Sequence, residues 1–409
     1  MLEYRSYWRV HRPSAWSKAP TEMTVSALRD IEACPRRWAL NAATYDGLWQ
    51  GRGYPPRLRL GSLSGSVIHL ALETVLDALA TSSCGSITDP AAVNVLKSLG
   101  GYTKVLNDCI TRVLSAFSGN PRAVRLLEAG DRSLRSQLPK LRTATQTLVG
   151  RVRLSARARP TGFATSERPP TSLPEGTHLE LVLRAPNMGW KGKADLLTCS
   201  RYSCEIVDFK TGVADDSHRF QLQVYAVLWS RDQNLNPNGR LATKLTLAYP
   251  TGDVDVAVPS PPAFAALERD LFARAEAARR AVTSDSPEAR PSLDNCGFCG
   301  VKQLCEDYWT ADNQRQLAGG RALEKGSYRD VELTITGQHG PHSWDAILEL
   351  DSGPPRRVLL RSSSGDLDLH PGERARILDV QIATILEDQN DPLILTIGSF
   401  SEVYELASA

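Results

Sequence analysis

Asp195, Asp208 and Lys210 are the residues whose types and spacing could do chemistry. Asp195 closes the run Gly192-Lys193-Ala194-Asp195, and Asp208 and Lys210 belong to Asp208-Phe209-Lys210-Thr211-Gly212. Between the two aspartates, Leu196, Leu197, Ile206 and Val207 show a strand-like pattern. Two strands joined as a hairpin would bring the carboxylates together. The two-residue period of a strand then puts Lys210 on the face of Asp208. Paired carboxylates hold a hard divalent cation such as Mg2+ or Mn2+. An ammonium beside them orients water or stabilises charge developing on a phosphate. The chemistry implied is metal-assisted phosphodiester cleavage.

A third run, Gln221-Leu222-Gln223-Val224-Tyr225, places Gln221 and Tyr225 four residues apart, on one face of a helix. Upstream, Gly65-Ser66-Val67-Ile68-His69-Leu70-Ala71-Leu72-Glu73 reads as helical, with Glu73 one turn beyond His69. Glu73 either orients the imidazole or is simply solvated. Taken in order, Gly-x-x-Asp, Asp-x-Lys-Thr-Gly and Gln-x-x-x-Tyr resemble the core of the PD-(D/E)XK nucleases, and within them the RecB family. The resemblance implies that His69, Asp195 and Asp208 are metal ligands, with the Phe209 carbonyl as a fourth. It implies Lys210 as the catalytic lysine, and Gln221 and Tyr225 as supports of the site or DNA contacts.

The eight cysteines carry a second signal. Met1 to Pro20 lacks the apolar core of a signal peptide, and no apolar run is expected to span a membrane. A cytoplasmic protein follows, in which cysteines bind metal more often than they form disulfides. Cys296, Cys299 and Cys305 are dense enough to grip one centre, and Cys34 sits far upstream in Ala33-Cys34-Pro35-Arg36-Arg37-Trp38. This distribution resembles iron–sulfur RecB-family nucleases of the AddB and CRISPR-associated types. That resemblance implies a four-iron–four-sulfur cluster on Cys34, Cys296, Cys299 and Cys305. Zinc suits four thiolates equally well and is the rival. Cys84, Cys109, Cys199 and Cys204 read as small buried hydrophobes.

Net charge is only +2, but it is unevenly spread: +12 over residues 1–170, −3 over 171–324 and −7 over 325–409. The amino-terminal region is the expected face for a phosphate backbone. Arg36, Arg37, Arg52, Arg57 and Arg59 are the candidate contacts, interleaved with Trp38, Tyr45, Trp49 and Tyr54 as bases' stacking partners. The alternative for each is a solvated charge or a core aromatic.

These residues need elements to position them. A helix is expected over Ser26 to Asn41, then a loop from Asp46 to Gly65 and a helix over 66–80 carrying His69. Residues 86–158 read as a helical insertion, followed by a connection with Pro160, Pro169, Pro170 and Pro174. Strands are expected over His178–Arg184, Lys191–Cys199 and Cys204–Phe209, then a helix over Ser217–Arg231. Strands Leu241–Tyr249 and Val254–Val258 and a helix from Ala263 to Val282 lead to the cysteine trio. The tail shows five short strands, Val331–Ile335, Trp344–Leu350, Arg357–Leu360, Arg374–Leu378 and Leu393–Ile397, separated by turn residues. The fold expected is α/β: a restriction-endonuclease-like core with a helical insertion over 1–324, then an all-β, OB-like barrel over 325–409. The barrel's negative charge marks it as a docking module or brace rather than a strand binder.

The function expected is a metal-dependent DNA nuclease of the RecB type, favouring single-stranded ends, in repair or anti-phage defence. No Gly-x-x-x-x-Gly-Lys-Ser/Thr loop is present, so unwinding would need a separate helicase partner. The alternatives are a structure-specific endonuclease or nickase, and a catalytically silent DNA-binding scaffold.

Overall fold

The structure is a computed structural model describing residues 8–9, 12–155, 172–310, 326–348, 355–363, 367–384 and 391–406. Pro160, Pro169, Pro170, Glu349 and Leu350, the end of the expected insertion and the expected 324/325 boundary lie outside the described residues.

After a two-residue strand β1 (Trp8–Arg9) come α1 (Val25–Ala33) and α2 (Pro35–Ala42). One continuous helix was expected here. Pro35 prevents it, because its ring disfavours helical geometry at the residue before it. Cys34 is extended at φ −162° and ψ 102°, and Pro35 opens α2 at a position where its missing N–H costs nothing. Thr24 caps α1 by accepting from the Ala27 amide.

Helix α3 (Leu60–Thr81) starts earlier than expected and carries His69 at mid-length. By length and composition Gly61–Thr81 is apolar enough to cross a membrane, contrary to the sequence expectation. Its Val67, Ala71, Leu72, Val75, Leu76 and Leu79 are instead packed in a core with α4 (Ala92–Ser98), α5 (Gly101–Ser115), α6 (Val124–Ser136) and α7 (Leu138–Arg151).

The central sheet follows: β2 (Gly176–Ala185), β3 (Trp190–Cys199), β4 (Cys204–Phe209), β5 (Lys244–Tyr249) and β6 (Gly252–Val256), hydrogen-bonded in that order. β4 and β5 are the parallel pair. A parallel pair needs a crossover, and α8 (Asp216–Arg231) supplies it. Asp215 caps α8 by accepting from the Ser217 amide. One face of the sheet packs against α1, α8 and α9 (Pro261–Val282) through Trp190, Leu197, Ile206 and Leu245. Leu196, Phe209 and Ala248 belong to the α3–α7 core on the other face. Cys84 and Cys109 are buried there, while Cys199 and Cys204 face each other across the β3–β4 ladder in the first core.

Two short helices, α10 (Leu293–Gly297), which contains Cys296, and α11 (Glu306–Trp309), flank Cys299 and Cys305. The carboxy-terminal strands are β7 (Tyr328–Gly340), β8 (Ser343–Leu348), β9 (Arg356–Ser362), β10 (Arg374–Thr384), β11 (Leu393–Ile397) and β12 (Glu402–Leu406). β10 pairs with β7 as well as with β11 and β12, which closes an OB-like barrel. β12 was not anticipated, and β1 joins it in parallel.

Candidate active site

The β3–β4 hairpin and its exits assemble the site. Asp208 is buried near the end of β4, and Lys210 follows two residues on with its Nζ 2.6 Å from Asp208 Oδ2. The Lys210 backbone amide donates to the Ala248 carbonyl at 2.9 Å, extending the β4–β5 ladder and fixing the direction of the side chain. Asp195 Oδ2 accepts from the Phe209 amide at 2.7 Å, so the first aspartate is tied to the backbone between Asp208 and Lys210. The Phe209 ring is buried in the core beneath.

Helix α8 supplies a second layer. Lys210 Nζ donates to Gln221 Oε1 at 2.8 Å, and Gln221 Nε2 donates to the Tyr225 hydroxyl at 2.6 Å. Gln221 and Tyr225 therefore form a relay that holds the ammonium from behind. A Cβ on Gly192 would lie 2.7 Å from Tyr225 Cε1 and 2.9 Å from Leu228 Cδ1. Only glycine lets α8 approach the sheet this closely, which gives the Gly-x-x-Asp spacing a physical reason. On the other side a Cβ on Gly65 would lie 2.9 Å from Thr211 Oγ1, so α3 leans equally closely on the loop after Lys210. His69, one turn further along α3, has its Nδ1 3.8 Å from Asp195 Oδ2.

Burial governs the protonation of this cluster. It raises the Asp195 pKa well above the ordinary carboxylate range, and the neighbouring Asp208 charge adds to the shift. Asp208 is also raised by burial, against the opposing charge of Lys210. Burial lowers His69, which favours the neutral imidazole, and raises the Tyr225 hydroxyl.

Two residues of this neighbourhood have no motif to announce them. Glu180 of β2 faces Asp195 at the step where β2–β3 pairing is interrupted, between Leu179–Leu196 and Leu181–Ala194. Its φ is +53°, a left-handed conformation that a non-glycine residue adopts at some cost. Its carboxylate pairs with Lys193 and adds negative field at Asp195 and His69. His218, on the first turn of α8, shares a 2.8 Å hydrogen bond with the Tyr249 hydroxyl. Irregular backbone at Glu180 leaves no trace in a hydrophobic pattern, so only geometry reveals it. Glu73 lines a surface cleft with Asp77 and Glu180.

The metal expectations are corrected. Among the described residues, no group of three or more His, Cys, Asp or Glu side chains is arranged to hold a metal ion. Neither Mg2+ nor Mn2+ on His69, Asp195, Asp208 and Phe209, nor an iron–sulfur cluster or zinc on the four cysteines, fits this arrangement. The carboxylates are turned to protein partners: Asp195 to the Phe209 amide and Asp208 to the Lys210 ammonium. Cys34, Cys296, Cys299 and Cys305 do line one small cavity. Burial raises the Cys296 thiol and lifts Cys299 to about 11 and Cys305 to about 12. The Cys34 sulfur accepts the Arg290 amide at 3.4 Å. Cys299 and Cys305 pack with Leu40, Tyr45, Tyr54 and Tyr308, so they serve as core residues joining α2 to the segment after α9.

Arg36 and Arg37 line the same cavity. Arg36 donates to the Pro287 carbonyl and Ser286 and pairs with Asp307, and Arg37 donates to the Asn295 carbonyl and Asp30. Both tie α2 to the 286–307 segment. Tyr45 and Tyr54 are buried edge to face, 5.1 Å between centroids, inside the core.

The sequence profile of the PD-(D/E)XK nuclease superfamily matches residues 22–306, and the chain belongs to that superfamily. Its α/β core is therefore a nuclease-superfamily core, a fold built for cleaving nucleic acid. No curated protein matches the chain. Among solved structures it is similar to the tetrameric p202 HIN2 (13% identity, 20% of this chain and 42% of that one, TM-score 0.17). It is also similar to SSO0001 (20% identity, 32% and 59%, TM-score 0.20) and to the p204 HINb domain (12%, 55% and 94%, TM-score 0.17). The chain spans about half the length of the first two. Likenesses at such TM-scores carry no argument.

Proposed function

We propose that this protein is a deoxyribonuclease of the RecB type that cleaves the phosphodiester backbone at single-stranded DNA ends, with Asp195, Asp208 and Lys210 as its catalytic residues. The observation that carries this reading is the Asp208–Lys210 pair, 2.6 Å apart, backed by the Gln221–Tyr225 relay. An ammonium held from two sides keeps its charge aimed at one place. There it stabilises the negative charge that grows on a phosphoryl oxygen as water attacks phosphorus and the P–O bond breaks. The carboxylates of Asp195 and Asp208 stand beside it to orient that water and take its proton, and the departing sugar oxygen is protonated from solvent. A scaffold that only bound DNA would have no use for so braced a lysine.

The test is incubation of the purified full chain with end-labelled linear single strands, linear duplex and a circular single strand. Parallel buffers should contain divalent cations or a chelator. Shortening of the linear single strand with the circle left intact supports the reading. Cutting of the circle would make the enzyme an endonuclease. Absence of cleavage on all three substrates in both buffers would overturn the nuclease reading.

A further inference from the structure

The stretch entering α3 meets two exposed phenylalanines, Phe298 among the cysteines and Phe400 just before β12, in a patch that the site chemistry does not use. Phe298 is 73% exposed and Phe400 51% exposed. A phenyl ring held in water gains nothing for folding, yet both residues are fixed through their backbones. Arg59, which precedes α3, donates from Nη2 to the Phe298 carbonyl, and its guanidinium lies 5.6 Å from the centre of that ring. Arg57 donates from Nη2 to the Phe400 carbonyl at 2.9 Å. Arg57 and Arg59 are two residues apart in the stretch entering α3, with Arg59 extended at φ −121° and ψ 114°. In extended chain such residues share a side, so one strip of backbone grips both phenylalanines.

The patch offers one unspent positive charge, Arg59, to a phosphate. Arg57 is spent on Asp379 and Glu402 and acts as a bracket. Arg59 has no carboxylate partner among the described residues and keeps its charge beside the Phe298 ring. Along α3, the distance from its cap Arg59 to His69 is roughly 15 Å at the rise of an α-helix. The patch therefore stands at the head of the helix whose middle reaches the candidate active site.

We propose that Phe298 and Phe400, with Arg59 between strand and phosphate, form a stacking platform for the unpaired bases of single-stranded DNA leading to the site. This rests on the nuclease reading above and adds the location and chemistry of its substrate grip. An exposed ring stacks on any base face, and a neighbouring arginine contributes both a cation over the ring and a phosphate contact. Paired bases present no free face, so duplex gains nothing from this platform.

The test uses the full chain carrying Lys210→Ala, so that cleavage does not interfere, and fluorescence anisotropy of labelled oligo-dT and of a blunt hairpin duplex. Phe298→Leu and Phe400→Leu, which keep apolar bulk without an aromatic face, are expected to weaken oligo-dT binding about tenfold each. Phe298→Tyr and Phe400→Tyr are expected to stay within about twofold of the parent, and the hairpin affinity is expected not to change. Leu variants that bind oligo-dT as the parent does, Tyr variants as weak as the Leu variants, or a parent that binds no oligo-dT would each overturn the proposal. Ring-dependent binding by a chain that cleaves nothing when Lys210 is present would leave the platform standing and remove the nuclease reading. Cleavage without ring-dependent binding would do the reverse.

Discussion

The guanidinium of Arg122 is forked onto the carboxylate of Glu402, with Nε 3.0 Å from Oε1 and Nη2 2.8 Å from Oε2. Both side chains are buried. Arg122 precedes α6 in the helical layer, and Glu402 opens β12 of the barrel. The remaining nitrogen, Nη1, donates to the Pro55 and Gly300 carbonyls at 2.9 and 2.7 Å. A buried ion pair is tolerable only when its other donors are satisfied in this way.

That pair makes the fold acid-sensitive. Burial opposes ionisation of Glu402, but the charge and hydrogen bonds of Arg122 outweigh it and hold the carboxyl below its ordinary range. A depressed carboxyl gives stability that is complete above its unfolded pKa of about 4.3 and lost as pH falls through the lower folded value. Glu402→Ala is expected to cost roughly 3–5 kcal/mol near neutrality. Thermal melts of both proteins between about pH 7 and pH 2 should show this gap closing in acid. A gap independent of pH would refute the assignment.

Loss of the barrel should cost the nuclease core its fold. The charge profile alone suggested that residues from Tyr328 onward are dispensable for DNA affinity. Truncation there strands buried Arg122 without Glu402 and Lys302 without Asp330, and removes the Arg376 pair with Glu306. Circular dichroism and limited proteolysis of the truncated chain are expected to report a partly unfolded protein. A truncated chain that melts as sharply as the intact one would show the barrel to be an independent module.

Lys210→Ala is expected to lower cleavage by roughly 100- to 1000-fold, the scale of losing one donor aimed at developing charge, and Asp208→Asn by roughly 100-fold or more, the scale of losing a general base. Circular dichroism should stay unchanged. Either variant cleaving at the parent rate would remove that residue from the chemistry.

Gln221→Leu should act more mildly, lowering kcat by roughly tenfold while KM holds, because a charge-assisted hydrogen bond is worth about 1.5–3 kcal/mol and only part of it is lost from the transition state. Single-turnover kinetics on a labelled strand measure this. An unchanged kcat would mean the relay does not aim Lys210.

Gly192→Ala and Gly212→Ala make a matched pair. The first would push a methyl to within 3 Å of Tyr225 and Leu228, and the second meets nothing within 4 Å. Overpacking of this kind typically costs about 1–3 kcal/mol. Urea denaturation should show that loss for Gly192→Ala alone, and equal stability of the two would contradict the close approach of α8.

Much of the core was legible because its signals are local. The alternation on β3 and β4, the spacing of Gln221 and Tyr225 and the run around His69 each encode one element and one face. The break at Cys34–Pro35 is equally local, since Pro35 alone dictates it. The roles of Arg36, Arg37, Tyr45 and Tyr54 were not legible, because each depends on partners brought by the fold from far along the chain. Arg36, for example, meets Ser286, Pro287 and Asp307. The resemblance implies the four cysteines as ligands, whereas their packing with Leu40, Tyr45, Tyr54 and Tyr308 depends on chain brought together from both ends of the nuclease core. Glu180 escaped because a left-handed residue inside a strand has no sequence signature of its own.

The parallel ladder of β1 on β12, Trp8 beside Tyr404 and Arg9 beside Glu405, sets a schedule for biosynthesis. A ribosome delivers the earlier strand well before the later one, so this seam of the barrel cannot knit until the whole nuclease core has been synthesised. Closing so large a loop also carries an entropic cost. Until it forms, the outer edge of β12 presents unpaired backbone groups, a template for other nascent chains. The interval before β1 and β12 meet is thus when the barrel edge most needs protection from other copies of the chain.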